Sequence, residues 1–113
     1  MRISHYSFGR AVIDGREYAK DVIVFPDRVE SPWWRREGHS LCLDDLESVL
    51  AAALRLLIVG TGSSGVMRVP PETLAELESR GIQVRALRTA EAVRLFNDLE
   101  DGAGVVAALH LTC

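Results

Sequence analysis

Lysine is nearly absent from this chain: Lys20 is the only one, and arginine supplies the rest of the positive side-chain charge. Acidic residues outnumber basic ones by 16 to 13, for a formal net charge of −3. That balance creates no field to draw in a phosphate backbone, so nucleic acid is not an expected partner. The arginine bias reads as genomic composition rather than function. Cysteine is scarce as well. Cys42 and Cys113, with no CxxC pair, are too few for a disulfide-stapled secreted scaffold, and reduced thiols are expected. No apolar run approaches the roughly 20 residues needed to span a bilayer. The first residues also lack a basic-then-apolar leader. Membrane insertion is therefore not expected, and the cytoplasm is the expected compartment. His5, His39 and His110 are scattered without ligand spacing, so neither a metal nor a cofactor is expected.

What remains is a chain of 113 residues with 48% hydrophobic content, enough for one packed domain over residues 1–113. Tyr6 and Phe8 alternate with polar neighbours. Asp14-Gly15 is a strong hairpin dipeptide between Ala11-Val12-Ile13 and Tyr18. Asp21-Val22-Ile23-Val24-Phe25 is an apolar strand stopped by Pro26, and the N-terminal third reads as an antiparallel meander. From Asp44-Asp45 a helix is expected, its apolar face made by Leu46, Val49, Leu50, Ala53, Leu54 and Leu57, yielding near Arg55. Leu56 to Val59 is a buried strand ending in glycine. Pro70-Pro71 opens a second helix that Gly81 caps, and Ile82 to Leu87 is a strand. Thr89 is the expected N-cap of a third helix with Gly102 just past its end, and Val105 to Leu111 is the last strand. The alternation of helix and strand implies an α/β fold: a mixed sheet, antiparallel at its N-terminal side and parallel, βαβ-type, in its C-terminal half.

Two segments stand out. Gly60, Gly62 and Gly65 have GxGxxG spacing after a buried strand, as in loops whose amides approach a pyrophosphate. The context departs from that motif. Val66 to Pro70 separate the third glycine from the next helix, and Arg85 and Arg88 stand where an acidic ribose ligand belongs. A tight turn at a strand end is the plainer reading; a small-ligand or anion pocket using Gly60, Thr61, Gly62 and Ser63 is the functional one. The second segment is Trp33-Trp34-Arg35-Arg36-Glu37-Gly38-His39. Neighbours on an extended chain face opposite ways, so one tryptophan should enter the core and the other face outward. An outward tryptophan beside arginine suits a binding surface. His39 is a possible proton carrier. The plainer reading caps a sheet edge, with Arg35 or Arg36 paired to a carboxylate. His110 reads as a satisfied core histidine. Cys113 reads as exposed, with no basic neighbour in sequence to activate it. No Ser, Cys, His and Asp fall in a nameable triad order, so no catalytic residue is assigned.

Taken together, Tyr6-Ser7-Phe8-Gly9, Asp14-Gly15, Tyr18, Asp21 to Val24, Trp33-Trp34-Arg35, Gly38-His39, Asp45-Leu46, Gly60-Thr61-Gly62, Thr89, Ala92, Asn97 to Leu99 and Val106 to Cys113 resemble a known pattern. It is that of the Mth-domain family of unknown function, which includes the adipogenesis-associated Mth-domain protein and mitochondrial assembly factors of respiratory complex I. The resemblance implies a three-layer domain with a mixed central sheet and no established enzymatic activity. It also implies that this chain, without a transit peptide, is a bacterial relative. The expected function is a non-enzymatic protein-interaction or accessory module, working through an unidentified protein partner or as a homodimer. The alternative is a small-ligand or anion-binding protein, or an unrecognised enzyme, at the glycine turn. The residues expected to carry either role are Trp33, Trp34, Arg35, His39, Gly60, Thr61, Gly62 and Ser63.

Overall fold

The structure, a computed structural model, describes residues 1–99 and 104–113. Gly102, the expected stop of the third helix, lies outside the described residues. The chain opens with β1 (Ile3–Ser7), β2 (Arg10–Ile13) and β3 (Arg16–Tyr18), paired antiparallel in that order. Asp14 and Gly15 both take positive φ, 49° and 82°, as a two-residue hairpin turn with right-handed strand twist requires. The meander stops at three strands. The apolar segment after it, β4 (Val22–Val24), does not continue the meander but joins the central sheet.

That sheet also holds β5 (Val29–Glu30), β6 (Leu56–Gly60), β7 (Gln83–Leu87) and β8 (Val105–Leu109), in the order β5-β4-β8-β6-β7. β6 pairs parallel with both β7 and β8, while β4 runs antiparallel to β8. The parallel half follows from the helical crossovers, α2 (Pro71–Ser79) and α3 (Thr89–Asp98). Pro71 stands at the start of α2, where its missing N–H costs nothing, and Gly81 leaves the helix end at φ 79°.

The helix expected from Asp44 is shorter than its apolar spacing suggested. A 3₁₀ turn, Leu43–Leu46, leads into α1 (Glu47–Ala51), and Ala52 is already extended. The chain must leave the helix there to enter β6, where the Arg55 and Leu56 amides both donate to the Gly104 carbonyl. Leu57, part of that helical pattern, is a central strand residue.

Strand parity sorts the core into two sides. Val22, Val24, Leu56, Ile58, Val105, Ala107 and Leu109 point to one face and pack against Ile3, Ala11 and Ile13 of the meander and Ala92, Val93 and Phe96 of α3. Ile23, Leu57, Val59, Val106 and Ala108 point to the other, against Trp33, Leu41, Val49 of α1 and Leu77 of α2. The result is three layers with the mixed sheet in the middle. Each of the larger aliphatic and phenylalanine side chains removed from water contributes about 1.5–3 kcal/mol, which is what holds the layers together. Asn97 ties α3 to the meander: its Nδ2 donates to the Ile3 carbonyl at 2.7 Å and its Oδ1 accepts from the Ile3 amide at 3.0 Å.

Candidate functional site

β4 and β8 are antiparallel, with Val22 opposite Leu109. That register sets Asp21, just before β4, beside His110, just after β8. Asp21 Oδ2 lies 2.8 Å from His110 Nδ1, and Oδ1 accepts from the Leu111 amide at 2.7 Å. Arg35 enters from the tryptophan segment, its Nη1 2.8 Å from Asp21 Oδ2. The cluster is dry: side-chain exposure is 4% for Arg35, 7% for His110 and 16% for Asp21. Burial works against ionising Asp21. The hydrogen bonds from Leu111, His110 and Arg35, with the charge of Arg35, outweigh it and hold the carboxyl below the usual carboxylate range.

The same geometry settles the His110 tautomer. An oxygen of an ionised carboxylate 2.8 Å from Nδ1 requires the ring proton between them. Arg35 Nη2, 3.0 Å from the same nitrogen, is then a close neighbour and not a donor to it; it donates instead to the Gly38 carbonyl, also at 3.0 Å. With Nδ1 turned to Asp21, Nε2 is the ring nitrogen left for any other partner. Nε2 is buried and has no hydrogen-bond partner.

Around this ion pair the tryptophan segment alternates as an extended chain must. Trp33 is 6% exposed, its Nε1 donating to the Asp45 carbonyl at 2.9 Å, and the Arg35 guanidinium stacks 4.6 Å above its ring centroid. Trp34 is 75% exposed. Arg36 points out to Asp44, so both arginines find carboxylates, Arg35 buried and Arg36 in solvent. His39 is exposed and near the end of β8: its ring centroid lies 5.8 Å from that of His110.

The glycine turn meets the same corner of the molecule, but through the chain's last residues. A Cβ on Gly62, at φ 108°, would lie 2.5 Å from both C and O of Cys113 and 2.9 Å from the Thr112 carbonyl oxygen. The Ser63 amide donates to Thr112 O and the Val66 amide to Cys113 O. The Gly62 amide donates to Thr89 Oγ1, the Thr61 amide to Leu87 O and the Gly65 amide to Gly62 O. These turn amides are committed to acceptors within the protein, so the turn serves as a seat for Thr112 and Cys113. A Cβ on Gly60 would meet Leu109 and Thr89 at under 3 Å, which is why that position too is glycine. Thr89 is not the side-chain cap its position suggested. Arg88 precedes the helix, and the Thr89 hydroxyl bridges layers instead, accepting from Gly62 and donating to the His110 carbonyl at 2.6 Å.

Of the residues singled out in the sequence, Arg35 and His39 come together with Gly62 and Ser63 only by way of His110 and Cys113. Asp21 and His110 are the centre of the cluster, and spacing could not reveal them, since they stand 89 positions apart. Cys113 has a basic neighbour in space that it lacks in sequence: its Sγ lies 3.8 Å from His39 Nε2. Cys42 is a free, half-buried thiol. No helix of the described residues is long and apolar enough to cross a membrane.

A conserved hypothetical protein from Pyrococcus horikoshii has the same fold at 31% identity, with a TM-score of 0.86 and all of both chains covered. A protein from Bartonella henselae described as an outer membrane protein is 24% identical over 98% of this chain and 94% of its own, with a TM-score of 0.83; at that identity the likeness shows the fold. A Bordetella pertussis protein described as a Mth938-like domain is 22% identical over 97% and 85%, with a TM-score of 0.70. The sequence pattern of the proteins of unknown function DUF498/DUF598 matches residues 3–110. With nearly its whole length matched, the chain belongs to this family of proteins of unknown function, the Mth-domain family that its motifs resemble.

Proposed function

We propose that this protein is an interaction module whose contact point is Trp34. The observation that supports it is the contrast within three consecutive residues. Trp33 and Arg35 are locked into the core, and the residue between them exposes three quarters of a large aromatic side chain. The backbone that carries this tryptophan is already held at both neighbours. Little backbone entropy is therefore lost when a partner covers it. Trp34 stands between two hollows, one bordered by Lys20 and Thr112 and one by Leu43, Leu50 and Arg80, so a partner covering it would have relief to grip on either side. Phe8, 64% exposed, precedes the glycine whose Cβ position faces Thr112, and so lies toward the same end of the sheet. The occupant is a protein surface with an apolar pocket, either a second copy of the chain or a separate protein.

The test compares wild type with Trp34→Ser. Sedimentation over a range of concentrations reads self-association, and quantitative affinity capture reads other partners. A complex, homomeric or not, that forms with wild type and weakens at least tenfold with Trp34→Ser is the expected result. Complexes unaffected by that substitution would overturn the reading.

A further inference from the structure

His39, His110 and Cys113 meet at one corner beside the buried cluster. One imidazole nitrogen from each histidine and the Cys113 sulfur all lie within 4.8 Å of one another. Two imidazoles and a thiolate are the ligand types that zinc-class ions select. In a tetrahedral zinc site, bonds of about 2.0–2.3 Å place neighbouring nitrogen and sulfur ligands roughly 3.6 Å apart. His39 Nε2 and Cys113 Sγ stand at 3.8 Å.

A second observation points to a ligand independently of that proximity. His110 Nε2 is a buried nitrogen without a hydrogen-bond partner, on a side chain only 7% exposed. A buried polar atom left unmatched costs about 1–3 kcal/mol, so folded proteins rarely keep one without a use for it. Its opposite nitrogen is held by the Asp21 carboxylate at 2.8 Å. Carboxylate–histidine pairs of this kind hold metal-binding imidazoles in the correct tautomer, with the outer nitrogen bare. Arg35, the other charge against His110, is matched by Asp21 and lies on the Nδ1 side.

The three donors are also fixed by the backbone around them. The His39 carbonyl accepts from the Arg68 amide, the His110 amide donates to Gly60 O, and Cys113 O accepts from Val66, in the seat that Gly62 leaves open. We propose that His39, His110 and Cys113 form a binding site for a zinc-class divalent ion, with a fourth position open to solvent or to a ligand. On binding, the Cys113 thiol releases its proton to solvent and the sulfur coordinates as thiolate.

The site is tested by titrating the full chain, stripped with chelator and reduced, with Co²⁺ and then competing with Zn²⁺. The expected result is one equivalent of Co²⁺ bound with a thiolate-to-metal charge-transfer band and the intense visible bands of four-coordinate cobalt, all displaced by Zn²⁺. Cys113→Ser should abolish the charge-transfer band. His39→Ala should weaken Zn²⁺ binding by more than the roughly 10–100-fold typical of losing an outer-shell group. Cys42→Ser should change nothing. His39 and Cys113 are exposed, so both variants are expected to fold, and circular dichroism checks that they do. No charge-transfer band at millimolar Co²⁺ overturns the site. So does a band that survives Cys113→Ser, or Zn²⁺ affinity unchanged in His39→Ala.

Discussion

Asp21→Asn isolates the energetics of the buried cluster. In the wild type the carboxylate neutralises Arg35 at 2.8 Å, accepts the His110 proton at 2.8 Å and accepts the Leu111 amide at 2.7 Å. Asparagine keeps the shape and one oxygen, so the Leu111 bond survives. Its amide group, however, turns two hydrogens toward Arg35 and His110, which are themselves donors. Arg35, 4% exposed, then holds an unmatched charge away from water. Breaking a buried pair by removing one partner costs about 3–5 kcal/mol. With the Leu111 bond retained, the lower end applies, about 3 kcal/mol. In a domain of this size each kcal/mol moves the melting temperature by roughly 4 °C, so the midpoint should fall by roughly 12 °C. Urea denaturation followed by tryptophan fluorescence measures the free energy directly. The double variant Asp21→Asn with Arg35→Met removes the orphaned charge and should recover at least half of the loss. A single-variant loss below about 1 kcal/mol would refute the argument, because a pair that contributes so little is solvated and not buried. A double variant no more stable than the single one would place the cost in the Leu111 connection instead.

Three further outcomes follow from the same corner. The folded-state pKa of Asp21 is depressed, so the stability it confers is present above the unfolded value near 3.9 and is lost as pH falls through the folded value; the gap between wild type and Asp21→Asn in denaturation midpoint should close in acid below about pH 4. Gly62→Ala forces a side chain into positive φ and to 2.5 Å from the Cys113 backbone; a loss of about 2–4 kcal/mol by chemical denaturation is expected, with the reactivity of the Cys113 thiol toward a disulfide reagent altered because its seat is displaced. Thr89→Val keeps volume but strips a hydroxyl that both accepts from Gly62 and donates to His110; about 2 kcal/mol should be lost, and hydrogen exchange at the Gly62 amide should accelerate.

Much of the architecture was legible from local rules. Asp14-Gly15 demanded a hairpin, Pro71 and Gly81 bracketed a helix, and the apolar runs at Leu56 to Val59 and Val105 to Leu111 suited strands covered on both faces, the second of which ends at Leu109. The adjacent tryptophans had to part, because successive side chains on an extended strand point oppositely. Helical spacing misled at Ala53 and Leu54, since apolar periodicity cannot see that the chain must straighten to enter β6. Thr89 misled in the same way: the residue type suits a cap, but a neighbour distant in sequence claimed its hydroxyl.

Which residues the site brings together was decided by tertiary structure. Sequence determines which residues are apolar, which turn and which alternate, because those preferences act over a few bonds. It does not determine that β4 leaves the meander to pair with β8, and every contact of Asp21 with His110 depends on that choice. The glycine turn was legible as a turn but not as a seat, because what fills it comes from the other end of the second half of the chain. His39, His110 and Cys113 carry no spacing signal; only strand register and the path of the last residues set their donor atoms side by side.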